Sequence, residues 1–356
     1  MPPRVLRPFA WALSLLAFVP ISVGLDLLTG PGVAVFLTAG VAIVPLAWFL
    51  GLGTEEIGKH VGPGVGGLLN ATFGNATELI IAVFALTSGL VDVVKASLTG
   101  SIIGNLLLVL GLSMFAGGLR HRTQTFSREA SGIQVSMLLL AVIGLIMPAL
   151  SHLTAASVQP TVLVNMSLGI ALILFAAYMF GLLFSLRTHR DLFNPVTASR
   201  ERPLWSVKKA LLVLSGATLL VALESELLVG SLESARAALG LTDLFVGVVI
   251  VAIVGNAAEH GSAILMAVRD KMDLSVAIAM TSTTQIALFV APILVLTSLL
   301  TSKVLTLDFE AFELLAVALS VGALASVVSD GKSNWYEGFL LVMVYAVLGI
   351  AFFFHP

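Results

Sequence analysis

Residues 74–80 read GNATELI and residues 255–260 read GNAAEH. Each stretch sets an asparagine and a glutamate inside a long apolar run. An ionisable side chain at the middle of a bilayer costs about 2.5–3.5 kcal/mol on insertion scales, so one held there has a task. The two stretches are offset by 181 residues, and at the same offset Ser101 falls on Ser282. Those serines lie in TGSIIGNLLLVLG (99–111) and TSTTQIALFVAPI (281–293), which also carry Asn105 and Gln285. Glu78, Glu259, Asn75, Asn256 and these four residues offer carboxylate, amide and hydroxyl oxygens. Gly74 and Gly255, just before the asparagines, let a helix loosen and present backbone carbonyls as well. Hard oxygen donors suit Ca²⁺, which takes about 6–8 of them in flexible geometry. Mg²⁺ wants a tighter octahedron, and softer metals want nitrogen or sulfur. Two carboxylates balance one divalent charge, or each takes a proton. Metal and protons then compete for one site, and competition with alternating access is an antiport mechanism moving at least about two protons per divalent ion.

The chain that must position these groups is 356 residues long, 58% hydrophobic and only 11% charged, against roughly 25% charged residues in a soluble domain. It reads as an integral membrane protein. The net charge of −2 gives no basic field for nucleic acid. There is no cysteine, so disulfides, thiol chemistry and Cys-ligated zinc are excluded. The six histidines are scattered, with no close-spaced ligand pair. The first apolar stretch lacks a small-residue cleavage site and leads straight into another span, so it is expected to be a retained helix.

About 20 apolar residues cross a bilayer core. Eleven segments qualify, at 9–28, 31–51, 62–88, 92–118, 129–149, 161–186, 204–230, 242–267, 273–301, 309–329 and 336–354. Pro31 and Pro63 suit helix starts, where an N–H is not needed. The N-terminus and even-numbered loops hold 15 of the 18 basic residues, among them Arg4, Arg7, Arg120, Arg122, Arg200, Arg202, Arg269, Lys271 and Lys332; the other side holds Lys95, Arg236 and Lys303. The positive-inside rule therefore puts the N-terminus in the cytoplasm and the C-terminus outside. Residues 187–203, arginine-rich with Pro195 and Pro203, read as a cytoplasmic linker between two halves.

With four spans between them, spans 3 and 8 run in opposite directions. The expected fold is all-α, with 11 transmembrane helices: an N-terminal helix (1–29), a first five-helix repeat (30–186), the linker, and a second, inverted five-helix repeat (204–356). Inverted repeats with a midplane site are the architecture of secondary transporters. On span 3, Gly67, Ala71, Asn75, Glu78, Ala82 and Ala85 recur at helical spacing; on span 8, Ala252, Asn256, Glu259 and Ser262 do. Such small, polar faces pack against protein rather than lipid. Upstream, Gly53-Thr54-Glu55 resembles Glu224-Ser225-Glu226.

GNATELI, SLTGSIIGNLLLVLG (97–111), GNAAEH and QIALFVAP (285–292) closely resemble the two signature repeats of the cation/proton exchanger (CAX) family, within the Ca²⁺/cation antiporter superfamily. The resemblance spans essentially the whole chain. It implies a Ca²⁺/H⁺ antiporter with Glu78 and Glu259 as ion-binding carboxylates and Asn75, Asn256, Ser101, Asn105, Ser282 and Gln285 lining the site. Glu226 matches the family's acidic residue on the helix opening the second half. In two places the chain departs from the family. The linker carries Arg187, Arg190, Arg200 and Arg202 against Asp191 and Glu201, where many members have an acidic helix, and Thr281 stands where glycine is usual.

Glu55 and Glu56 fall at a membrane boundary and are expected to be solvated. Pro45 and Pro292 are expected to kink helices. His260 follows Glu259 directly and so points about 100° away around a helix; it is a candidate for pH coupling, since an unperturbed imidazole titrates near pH 6.5. The competing readings are a Na⁺- or K⁺-coupled Ca²⁺ exchanger and a cation channel, although selectivity rings usually need symmetric subunits. No nucleophile–base pair or zinc motif suggests an enzyme. No cofactor is called for, only transported Ca²⁺ or other divalent cations and H⁺. The expected partners are these ions and the lipid bilayer, not nucleic acid, and a homo-oligomer is compatible with them. The expected location is a prokaryotic cell membrane, or a vacuolar-type membrane in a eukaryote.

Overall fold

The computed structural model describes residues 10–154, 159–193, 203–301 and 303–355. Arg4, Arg7, Pro195, Arg200, Glu201 and Arg202 lie outside the described residues, as do the side chains of Ala71 and Asp191. The chain is all-α, apart from one two-residue antiparallel ladder of β1 (Gln124–Thr125) with β2 (Lys332–Ser333). Among the described residues ten helices are long and apolar enough to cross a membrane. They are α1 (Ala10–Thr29), α2 (Val33–Val61), α5 (Val91–Gly118), α6 (Arg128–Thr154), α7 (Pro160–Thr188), α8 (Val207–Leu239), α9 (Asp243–Val268), α10 (Met272–Ser298), α11 (Ala311–Asp330) and α12 (Trp335–Phe354). The remaining expected span, 62–88, is two helices, α3 (Pro63–Phe73) and α4 (Ala76–Thr87).

The helix ends correct several expectations. α2 does not stop near residue 51 but runs on to Val61. Lys59 reaches back to Glu55 and Glu56, both at 2.8 Å, and so lets charged residues stay helical. Glu55 is exposed, as expected of a boundary residue. Glu56 is not: it is fully buried, and its second oxygen accepts the Trp205 backbone N–H at 2.8 Å. α2 begins at Val33, two residues after Pro31, with Gly32 at its N-cap. It continues through Pro45. In α10 the ladder widens to a π turn over Ile286–Val290 immediately before Pro292. Proline lacks an N–H and its ring crowds the carbonyl four residues back, and a widened turn relieves that crowding.

The chain divides into two compact units, Met1–Ser88 with Ser199–Thr242 and Ile253–Ala258, and Gly89–Ala198 with Asp243–Ala252 and Glu259–Pro356. Each mixes helices from both halves of the sequence. In the first, α2 lies along α8 around a core that includes Leu46, Leu50, Ile57, Leu214 and Val221. The backbones come close at Gly53, where a Cβ would stand 3.2 Å from the Leu214 side chain. In the second, α5 and α9 cross on a reciprocal pair of glycines. A Cβ on Gly100 would meet the Val248 carbonyl at 2.3 Å, and one on Gly247 would meet Ala96 at 2.4 Å. Lipid is as apolar as leucine, so close van der Waals approach is what holds such helices together.

Within the second unit the loops sort by parity. The loops after α5, α9 and α11 meet: Gln124 donates to the Ala267 carbonyl at 2.9 Å and to Asp270 at 3.0 Å, Ser127 N–H donates to Asp273, and β1 pairs with β2. The segments after α4, α6 and α10 meet separately: Lys303 donates to the Gly89 carbonyl at 3.1 Å, and Lys95 and His152 both reach Asp308. These are the two groups into which the basic-residue count divides the same loops.

Candidate functional site

The first motif sits at a helix break. α3 ends at Phe73, Gly74 and Asn75 form a turn, and Asn75 leaves helical geometry at φ −103°, ψ 26°. α4 then starts at Ala76, with Glu78 in its first turn. The partial positive charge of a helix N-terminus favours an ionised carboxylate there, while the C-terminal end of the preceding helix offers carbonyl oxygens. Asn75 is 1% exposed, and Glu78 is half-buried with its Oε2 fully covered. Gly255 explains the fit of Glu78: a Cβ there would stand 3.1 Å from Glu78 Cγ, so the side chain lies directly over a glycine. Gly255 stands one turn before Glu259 on α9. The first motif's glutamate therefore rests on the second motif's glycine.

The second motif behaves differently from its counterpart. Gly255 and Asn256 stay inside a continuous α-helix, and the loosening expected there occurs upstream as a π turn over Val246–Val251. Asn256 is 1% exposed. Glu259 is hydrogen-bonded to Ser282 of α10. Ser282 Oγ in turn accepts from Asn105 Nδ2 of α5 at 3.0 Å. Asn105, Ser282 and Glu259 thus form one polar chain across three helices. Glu259 Oε2 is buried without a hydrogen-bond partner, and no ion pair to Glu259 exists among the described residues. Ser101, 5% exposed, lies one turn before Asn105 on the same face of α5. Gln285, 4% exposed and one turn beyond Ser282, hydrogen-bonds Tyr178. α5 and α10 each open into a π turn, Gly104–Val109 and Ile286–Val290, within one residue of the 181-residue offset that relates the sequence motifs. π turns free carbonyls from the regular ladder and recur at functional sites.

Two sequence candidates are not gathered in. Glu226 is exposed on α8 and makes no hydrogen bond or ion pair among the described residues. His260 is half-buried, turned around α9 from Glu259, and makes no hydrogen bond among them. The buried acid of α8 is Glu224, fully enclosed, with both oxygens accepting from Ser22 Oγ of α1 at 2.9 and 2.8 Å. The sequence held the signal. Ala210, Leu214, Ala217, Val221 and Leu228 recur at helical spacing, and Glu224 falls on that row while Glu226 does not. Glu313 is another buried acid. It is 2% exposed, closes a capping box with Glu310 at the start of α11, and accepts from Thr99 Oγ1 at 2.8 Å. Its E-x-x-E spacing before an apolar run is a helix-start signature.

Among the described residues no group of three His, Asp or Glu side chains is placed to hold a metal. An ion held by these glutamates would complete its shell from amide, hydroxyl and carbonyl oxygens. The sodium/calcium exchanger protein family profile matches residues 31–187 and 209–354, the stretches on either side of the linker. The chain belongs to that family. Within the exchanger family it is similar to a Ca²⁺/H⁺ antiporter of Synechocystis sp., 48% identical over 97% of each chain. It is 44% identical to the Ca²⁺/H⁺ antiporter ChaA of Bacillus subtilis over 95% of this chain and 97% of that one. The structure of native YfkE superposes with a TM-score of 0.84 at 40% identity, over 97% of this chain and 100% of that one. The fold is also that of an H⁺/Ca²⁺ exchanger, CAX, with a TM-score of 0.70 at 16% identity.

Proposed function

We propose that this protein is a secondary antiporter that exchanges Ca²⁺ for H⁺ by alternating access, with Glu78 and Glu259 as the two carboxylates for which Ca²⁺ and protons compete. The observation that carries the reading is Glu259: a carboxylate with one oxygen buried and unpartnered and, among the described residues, no basic residue paired to it. A group so placed in a membrane helix must be neutralised, and a cation or a proton does so interchangeably. The seat of Glu78 on Gly255, one turn before Glu259, supports assigning both motifs to one ion. Asn75, Asn256, Ser101, Asn105, Ser282 and Gln285 supply neutral oxygens or orient the carboxylates. The Ca²⁺/H⁺ antiporters to which the chain is 44–48% identical favour proton coupling over sodium coupling. The test is ⁴⁵Ca²⁺ flux in proteoliposomes. An imposed pH gradient should drive uptake and an imposed Na⁺ gradient should not; the reverse result would transfer the protein to the sodium-coupled class.

The N-terminus is cytoplasmic and the C-terminus outside in this reading, as the basic-residue count requires. Single cysteines at 120–128 and 187–203 should be labelled from the cytoplasmic side and those at 150–160 from outside, in a chain with no native cysteine to interfere. Labelling of 187–203 from outside alone would overturn the inverted-repeat assignment.

His260 serves as a pH-coupling residue rather than a Ca²⁺ ligand, because imidazole nitrogen suits a hard cation poorly. His260→Ala should therefore leave maximal ⁴⁵Ca²⁺ transport within about twofold of wild type and move its pH profile. An unmoved profile assigns the residue to packing alone.

A further inference from the structure

A cavity of about 410 Å³ lies between α6, α7 and α10, bordering the exchange site only at Gln285. Its size falls within the roughly 300–1,000 Å³ of small-molecule sites. Its walls are mostly apolar, with Ile133 and Met137 from α6 and Phe180 and Leu182 from α7, and among the described residues no charged side chain lines it. Its polar lining is Gln134, which is 7% exposed, with Tyr178, Ser185, Thr281, Thr284 and Gln285. One end of the Gln134 amide is used, since Nε2 donates to Thr281 Oγ1 at 3.2 Å. The other end, Oε1, is buried and has no hydrogen-bond partner. An unmet buried amide costs roughly 1–3 kcal/mol, so a group that satisfies it gains that amount on binding. Thr281 is the residue that stands where the family resemblance leads one to expect glycine. Its hydroxyl is what fixes the Gln134 amide at the edge of the cavity.

The mouth shows from which phase a ligand comes. Phe180 is 71% exposed and Leu183 45% exposed on α7, a membrane-spanning helix, so this face meets lipid rather than water. Gln134 lies six residues into α6 from Arg128, about 9 Å along the helix. The polar anchor is therefore near the headgroup boundary, and the apolar volume continues towards the bilayer centre. An anionic headgroup would find no counter-charge among the described lining residues. A hydroxyl fits, because it both donates and accepts and so satisfies the amide in either orientation.

We propose that this cavity binds a neutral, single-chain lipid bearing a hydroxyl, of the monoacylglycerol or long-chain alcohol class, with its hydroxyl on the Gln134 amide and its chain between α6 and α7. Thr284 and Gln285 also border the cavity, so the ligand lies against the helix that carries Ser282, the partner of Glu259. Binding is independent of whether the transported ion is Ca²⁺, and its test does not use transport.

The full chain in lipid nanodiscs would be photolabelled with a hexadecanol carrying a diazirine near its methyl end, and the adducts mapped by peptide. Labelling should concentrate in 133–137 and 177–185. Unlabelled 1-hexadecanol should compete at least about fivefold better than hexadecane, and Gln134→Leu, which keeps the volume and removes the amide, should cut labelling at least about threefold. Equal competition by the alkane, labelling outside these segments, or full labelling of folded Gln134→Leu would overturn the proposal. Should that variant not be recovered folded, the alcohol-against-alkane comparison on the unaltered protein decides by itself.

Discussion

Glu78→Gln and Glu259→Gln should each reduce pH-gradient-driven ⁴⁵Ca²⁺ uptake by at least about a hundredfold while the protein still inserts and purifies. Glutamine keeps the size and one oxygen of glutamate but removes the charge and the titration. A divalent ion would then face a single carboxylate in a site of low dielectric, where the uncompensated charge is strongly unfavourable. The one remaining carboxylate also cannot exchange both protons. The two variants fail at different neighbours: Glu78 opens a helix whose N-terminus favours its charge, and Glu259 is held by Ser282. A well-folded variant of either kind with flux within about threefold of wild type would remove that residue from the ion site.

The second large effect is expected at a residue with no functional group. Gly255→Leu should lower apparent Ca²⁺ affinity at least about tenfold, because the first added carbon already stands 3.1 Å from Glu78 Cγ and the rest must displace that side chain. Overpacking typically costs about 1–3 kcal/mol, and binding geometry tolerates only about 0.5 Å of displacement. Gly261→Leu is the control on the same helix. A Cβ at Gly261 meets nothing within 4 Å, so transport should stay near wild type. Equal behaviour of the two variants, measured as ⁴⁵Ca²⁺ uptake against Ca²⁺ concentration, would show that the contact between Gly255 and Glu78 does not shape the site.

The polar residues of the site were legible because each motif breaks a local rule. An Asn and a Glu inside an apolar run stand out without any coordinates, and the 181-residue offset pairs them. The exposed Glu226 and the enclosed Glu224 show where that method weakens. The motif resemblance falls on Glu226, whereas the helical spacing of Ala210, Leu214, Ala217, Val221 and Leu228 marks Glu224 as the buried acid. The place of Glu56 in the chain marks a boundary residue, whereas in the fold it is buried and bonded to the Trp205 N–H, 149 positions away.

By itself the sequence determined that the chain is an all-α membrane protein and which polar residues interrupt its apolar runs. Hydropathy, loop charge and motif spacing are properties of contiguous residues, and the bilayer acts on each segment separately. Only the tertiary structure decided that the glycine–asparagine pair breaks the helix at Asn75 but not at Asn256. It alone showed that Asn105 and Ser282 form a chain to Glu259, and that Gly255 is the floor under Glu78. These outcomes depend on which helices cross at which residue. The crossings are set by close packing of small side chains distant in sequence, such as Gly100 on Val248 and Gly247 on Ala96, and no local pattern encodes such pairings.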